Sequence, residues 1–278
     1  MSKEKDIMAK RMRLKALEMA YKSGKNGAHL GGGLSAIEIL ATLYHNILQV
    51  DSTNPFDDNR DRLIVSKGHC VLAYYTALYE KGFLRDEDLE QFEKNGYHWH
   101  GHAMRDLGHG IEFSGGSLSM GMSFAVGEAL ACKAKGLKNR VFVLLGDGEC
   151  NEGLIWEAAM SAAHHHLDNL CVIVDRNRLQ YDGVTNEVMN SDSLAEKFKA
   201  FGFEVSEVDG HDCEALAGVF SDQLSVVNGK PHCVIANTIK GKGVSFMEND
   251  KIWHHHTLNE AQYNQAIMEI QNGAIDIY

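Results

Sequence analysis

Proline is nearly absent from this chain of 278 residues: Pro55 and Pro231 are the only two. Usual content is about 5%, so no proline-rich linker is present to join separate domains. The six cysteines (Cys70, Cys132, Cys150, Cys171, Cys213 and Cys233) form no CxxC pair and no regular spacing. That argues against a disulfide framework. Cysteines in apolar runs read as buried, reduced thiols of a cytoplasmic protein. No stretch approaches the roughly 18 apolar residues of a membrane-spanning helix. The charged N-terminus, residues 1–13, lacks the apolar core of a secretory signal. Basic charge is in deficit: 27 Lys and Arg face 38 Asp and Glu, a formal net charge of −11. Such a field opposes nucleic acid but leaves room for one locally cradled phosphate.

What remains is ordinary globular material, 44% hydrophobic and 23% charged, with an excess of histidine at 15 residues. Periodicity predicts helices over residues 6–22, from Ser35, from His69 to Lys81, and over 117–135, 152–166, 193–201, 213–227 and from Asn259. Residues 23–33 read as a glycine-rich turn. Residues 82–116 read as a long functional loop. Between these lie apolar runs of strand length at 62–66, 140–145, 170–175, 203–208 and 232–237. Apolar strands alternating with helices predict an α/β fold, a parallel sheet covered by helices on both faces. With no composition break or repeat, residues 1–278 read as a single domain.

Ligands of such sheets bind outside the carboxyl ends of the strands. The polar signatures fall there: Lys67-Gly68-His69, Gly146-Asp147-Gly148, Asp175-Arg176-Asn177 and Lys240-Gly241-Lys242-Gly243. Bare glycines admit a ligand to the backbone, and N–H groups at a strand-to-helix turn can hold diphosphate oxygens. Asp147, Asn177 and the Leu179 carbonyl offer the hard oxygens that Mg²⁺ prefers. Alone, Gly-Asp-Gly is compatible with a plain β-turn; the strand before it, the helix after it and the downstream Asp-x-Asn favour a metal–diphosphate site.

The stretch from Gly146-Asp147-Gly148 through Glu152-Gly153 to Asn177 resembles the thiamine diphosphate fingerprint, in the form found in transketolases. Further matches are Ser66-Lys67-Gly68-His69, Gly101-His102, Gly116-Ser117-Leu118 and Thr238-Ile239-Lys240-Gly241-Lys242-Gly243. The resemblance covers about residues 10–258 and is greatest to the stand-alone N-terminal subunit of split transketolases. It implies thiamine diphosphate with Mg²⁺, or Ca²⁺ in its place. Asp147, Asn177 and Leu179 would hold the metal, and Gly146, Gly148 and Glu149 the diphosphate. Gly116 and Leu118 would approach the aminopyrimidine. His29, His69, His102 and His254 match the active-site histidines, with His69 and His254 also touching the cofactor. Glu152 matches a glutamate at the subunit contact; its plain alternative is a solvated first-turn residue.

The implied reaction is transfer of a two-carbon ketol unit between sugar phosphates. A pyrimidine-binding domain has no room after His254, so the implied partner is a separate C-terminal subunit in an α2β2 assembly. The alternatives are a subunit like that of the 2-oxo acid dehydrogenases, a relative of the deoxyxylulose-phosphate synthases, and a non-catalytic cofactor-binding assembly protein. Arg176 departs from the fingerprint. His29 sits later than the usual first histidine, and His255 and His256 compete with His254. His164-His165-His166 cannot share one helix face and reads as a solvated helix end. His98 and His100 read as exposed neighbours of His102 rather than a zinc site; His45, His109, His211 and His232 read as structural.

Overall fold

The computed structural model describes residues 2–225 and 228–272. Five strands form one sheet: β1 (Arg62–Val65), β2 (Val141–Gly146), β3 (Leu170–Arg176), β4 (Glu204–Asp209) and β5 (His232–Asn237). Their order is β1-β2-β3-β5-β4, and every neighbouring pair is parallel. Eleven α-helices are described: α1 (Ser2–Lys22), α2 (Leu30–Leu34), α3 (Ile37–Thr42), α4 (Val71–Glu80), α5 (Asp86–Glu90), α6 (Met120–Ala134), α7 (Gly153–His164), α8 (Thr185–Val188), α9 (Leu194–Ala200), α10 (Cys213–Ser225) and α11 (Glu260–Asn272).

The central strands are apolar on both sides because both sides are covered. Phe142, Leu144, Cys171 and Ile173 face a core built with α1, α3, α4, α10 and α11. Val141, Val143, Leu145, Val172 and Val174 face the opposite core, built with α6, α7 and α9. The period of two along each strand divides them between the cores. Strand β4 lies at the sheet edge, which fits its more polar sequence and its partial burial. All six cysteines are buried free thiols. Among the described residues no helix is long and apolar enough to cross a membrane.

The predicted elements are present, with a few shifts. The helix expected from Ser35 is α3 followed by a π-turn over Leu43–Ile47, closed by a Leu48 N–H to Leu43 carbonyl bond of 2.8 Å. The helix expected at 117 begins at Met120. The helix expected over 213–227 is described to Ser225; 226–227 lie outside the described residues. The loop 82–116 contains α5 and a 3-10 turn at Leu107–His109. The largest difference is in the glycine-rich segment, where Leu30–Leu34, Leu-Gly-Gly-Gly-Leu, is the helix α2. Glycine disfavours helix by about 1 kcal/mol per residue, but tertiary packing decides here. A Cβ on Gly31 would lie 2.9 Å from the Lys240 side chain, and one on Gly32 2.6 Å from His69. These glycines let a helix lie flat against the strand exits.

Candidate active site

The exits of β1, β2, β3 and β5, four adjacent strands, open on one rim. There a cavity of about 430 Å³ is lined by His29, His69, His102 and His254, by Gly116 and Leu118, by Gly146 to Glu149, and by Asn177 and Leu179. Every expected site residue except Glu152 is brought together. Glu152 is exposed at the start of α7.

The histidines come from four separate segments. The His29 ring lies 5.0 Å from His102, 5.6 Å from His254 and 6.2 Å from His69, centre to centre. His69 and His254 are 5.0 Å apart. His29 is thus inside the cluster despite its late position in sequence. Of the C-terminal triplet, His254 lines the cavity. His255 is exposed but stacks edge-on to His29 at 4.6 Å. His256 packs on Trp253, and its backbone forms an antiparallel bridge with Ala28.

Burial pushes His29 down to about 3, with His255, His102 and His254 adding to the shift. Burial also pushes His254 to about 3, helped by Lys240 and Lys67. His69 lies well below the ordinary value for the same first reason. Burial lowers His102, while Glu93 partly opposes it. Four neutral imidazoles therefore face the cavity near pH 7, each with one nitrogen able to accept and one able to donate. His29 Nδ1 and Gln180 Nε2 are buried without a partner in the chain.

The oxygen donors sit at the ends of β2 and β3. Asp147 accepts from the Gly148 N–H at 2.9 Å and the Arg178 N–H at 2.7 Å. Asn177 Oδ1 accepts from the Leu179 N–H at 3.1 Å. The Leu179 carbonyl accepts from Lys240 Nζ at 2.9 Å, and the same ammonium reaches His254 Nδ1 at 3.0 Å. Burial, then Asp175, pushes the Asp147 carboxyl up. Burial, then Lys67, pushes Lys240 down to about 8. Both charged forms are thus disfavoured as the chain stands. A dication at Asp147 and an anion beside Lys240 would each relieve this. The site fits a hard metal ion paired with a diphosphate.

The frame beneath is tightly bonded. Glu149 turns inward and accepts from the Ser119 N–H at 2.7 Å, the Gly146 N–H at 3.0 Å and the Ser66 hydroxyl. Only its backbone is left for a ligand. Lys67 and Asp175, both fully buried, form an ion pair. Asp175 also accepts from the Ser35 hydroxyl at 2.6 Å and from Thr238, and Lys67 donates to the Gly32 carbonyl at 3.1 Å. One knot joins α2 to the exits of β1, β3 and β5. Sequence reasoning missed Lys67, Asp175 and Lys240 as individual site residues. A signal was present: each lysine stands between a strand and a glycine, where burial demands a partner.

Arg176 lies outside the cavity lining, bonded to Asn237 at 2.9 Å and Asp192 at 2.6 Å. His164, His165 and His166 are exposed, as are His98 and His100. His211 clamps Glu38 at 2.9 Å and accepts from the Ile239 N–H at 2.8 Å, a structural role.

Residues 4–271 match the family model described as "Transketolase, thiamine diphosphate binding domain". One of the subunits of the apulose-4-phosphate transketolase of Phocaeicola vulgatus is 40% identical over 265 residues, covering 95% of this chain and 93% of the relative. The 6-deoxy-6-sulfo-D-fructose transketolase subunit of a Clostridium species is 40% identical over 249 residues, covering 89% and 90%. The solved transketolase of Leishmania mexicana superposes with a TM-score of 0.88 at 28% identity, covering 96% of this chain and 41% of that one. The chain therefore spans nearly the full length of these two subunits but about two fifths of the solved transketolase.

Proposed function

This chain belongs to the transketolase family through its thiamine diphosphate-binding domain, and from that premise we propose that it is the diphosphate-binding subunit of a two-chain transketolase. On this reading residues 1–278 are one cofactor-binding domain. It acts in the cytoplasm, with a separate C-terminal subunit supplying the aminopyrimidine half of each site in an α2β2 assembly. Relatives of matching length are themselves named as transketolase subunits, which supports the partner. The observation that carries the reading is the single cavity in which four neutral histidines face Asp147, Asn177 and Leu179.

The chemistry supplied by bound thiamine diphosphate is an electron sink that lets the bond beside a ketose carbonyl break and re-form. The chain's own residues bind and orient. Asp147, Asn177 and the Leu179 carbonyl hold Mg²⁺, or Ca²⁺ in its place. The backbone of Gly146 to Glu149 takes the diphosphate, and Lys240 adds counter-charge. Gly116 and Leu118 flank the aminopyrimidine. His29, His69, His102 and His254 hydrogen-bond sugar oxygens; as neutral imidazoles they can take up a proton at one nitrogen and release one from the other. On this reading Glu152, which is exposed, makes the subunit contact that couples paired sites.

The test is calorimetric titration of the chain with thiamine diphosphate and Mg²⁺, followed by a ketol-transfer assay with a candidate partner. The substrate panel holds pentose phosphates, a branched sugar phosphate and a sulfo-sugar. Asp147→Ala is expected to abolish cofactor binding while the fold persists by circular dichroism. Unchanged binding would refute the metal assignment, and full activity from the chain alone would refute the partner.

A further inference from the structure

Outside the cavity, the loop that carries His102 gathers a second set of donor atoms. One ligand atom from each of His98, Asp106 and His109 lies within 4.8 Å of the other two. His109 Nδ1 is 2.7 Å from Asp106 Oδ2, and His98 Nε2 is 3.8 Å from the same oxygen. We propose that these three side chains bind a divalent transition-metal cation that staples the loop carrying His102.

The donor set selects the class of ion. Two imidazoles and one carboxylate suit Zn²⁺, Co²⁺ or Ni²⁺, whereas Mg²⁺ and Ca²⁺ take oxygen. Bonds of about 2.0–2.2 Å in a tetrahedron place ligand atoms about 3.3 Å apart. The separations of 2.7 and 3.8 Å from Asp106 bracket that spacing, and the two imidazole atoms lie within 4.8 Å of each other.

The scaffold is already in place. Asp106 and Ile111 exchange two backbone hydrogen bonds of 2.9 Å, and the His109 N–H donates to the Asp106 carbonyl at 3.1 Å. That turn fixes two ligands. The third is held by an aromatic base: the Trp99 indole lies 4.6 Å from the His98 ring and 5.2 Å from His109. Trp99 is itself 2% exposed and packs edge-on to Tyr75 at 5.4 Å. An ordinary surface turn accounts for the Asp106–His109 bond. It does not account for His98, which comes from outside the turn and at 3.8 Å makes no hydrogen bond with Asp106. The outer side is open, with the His98 side chain 60% exposed, so an ion can enter and keep one or two waters.

His102 lies between the two arms of the staple, and the adjoining Ala103 carbonyl accepts from the Gly115 N–H at 2.9 Å. An ion joining His98 to the turn would restrict this segment without touching the cavity. This site is chemically distinct from the oxygen site at Asp147 and stands or falls separately from the proposed activity.

The experiment is Zn²⁺ titration of EDTA-treated protein against a chromophoric chelator, with Co²⁺ as a spectroscopic probe. The wild type is expected to bind one Zn²⁺ that millimolar Mg²⁺ does not displace. His98→Ala and His109→Ala should each weaken it at least about tenfold and remove the visible Co²⁺ bands. The triple variant His164→Ala, His165→Ala, His166→Ala should retain both. Metal-free melting curves of each variant check that the fold is kept. Zn²⁺ binding unchanged in His98→Ala and His109→Ala, or lost in the 164–166 variant instead, would overturn the proposal.

Discussion

Replacing Lys67 by Met removes the cation from the buried knot and leaves Asp175 facing only hydroxyl donors. Breaking a buried ion pair by deleting one partner costs about 3–5 kcal/mol, because the other charge is left uncompensated. Asp175 keeps the Ser35 and Thr238 hydroxyls, so the lower half of that range is expected. At about 2–4 °C per kcal/mol for a large domain, the full range corresponds to a fall in Tm of about 6–20 °C. The pH dependence supplies a second signature. In the wild type burial pushes Asp175 up, but Lys67 and the hydroxyls outweigh it and hold the carboxyl below its ordinary 3.8. Burial pulls Lys67 down, but Asp175 outweighs it and raises the ammonium above 10.5. Between those values the wild-type pair contributes a constant amount. In the variant only the Ser35 and Thr238 hydroxyls oppose burial, the largest influence on this carboxyl, so the folded carboxyl stays protonated after the unfolded one has ionised. The folded state then binds more protons, and stability falls as pH rises above 3.8. Urea denaturation followed by circular dichroism, without cofactor, should show the deficit widening as pH rises from about 4. The double variant Lys67→Met, Asp175→Asn should recover part of the loss. A deficit below about 1 kcal/mol, or a double variant no more stable than the single one, would refute the reasoning.

The buried histidines predict acid sensitivity. His29 and His254, held near 3, refuse protons that the unfolded chain accepts below 6.5, so their contribution is present above 6.5 and lost as pH falls. Thermal melts at pH 7, 6 and 5 should show a falling Tm, with a shallower slope in His29→Phe; equal slopes would count against buried neutral imidazoles. Gly32→Ala places a Cβ 2.6 Å from the His69 ring. Cofactor affinity should drop at least about tenfold, while overpacking costs stability about 1–3 kcal/mol; calorimetry and melting separate the two, and wild-type affinity would contradict the close approach. Gly121→Ala puts a Cβ 2.5 Å from Ser66, where α6 crosses the exit of β1. It should destabilise the fold by a similar amount in urea denaturation, and a neutral outcome would mean that the helix can move away.

The strands were legible because their environment is uniform. Val141 to Leu145 and Leu170 to Val174 are covered on both sides, so an unbroken apolar run is the only pattern they can carry. The site was legible where chemistry dictates residue type, as at Asp147, Asn177 and the histidines. It was illegible where packing does. Leu-Gly-Gly-Gly-Leu reads as a turn by propensity, yet it is a helix whose glycines sit where Lys240 and His69 leave space only for hydrogen. The Lys67–Asp175 pair joins residues far apart in sequence, and no local pattern announces such a partner. His98, Asp106 and His109 carry no spacing motif, and only a folded turn over Trp99 brings them together. The sheet order, with β5 inside β4, likewise lies in the crossover and not in either strand's composition.

The bridge between Ala28 and His256 has a consequence for how the protein comes into being. One side of the cavity mouth is translated near the start and the other near residue 256, so a chain translated only through β5 carries all five strand segments but lacks His254 and that wall of the cavity. Cofactor capture can follow folding but cannot guide its early steps.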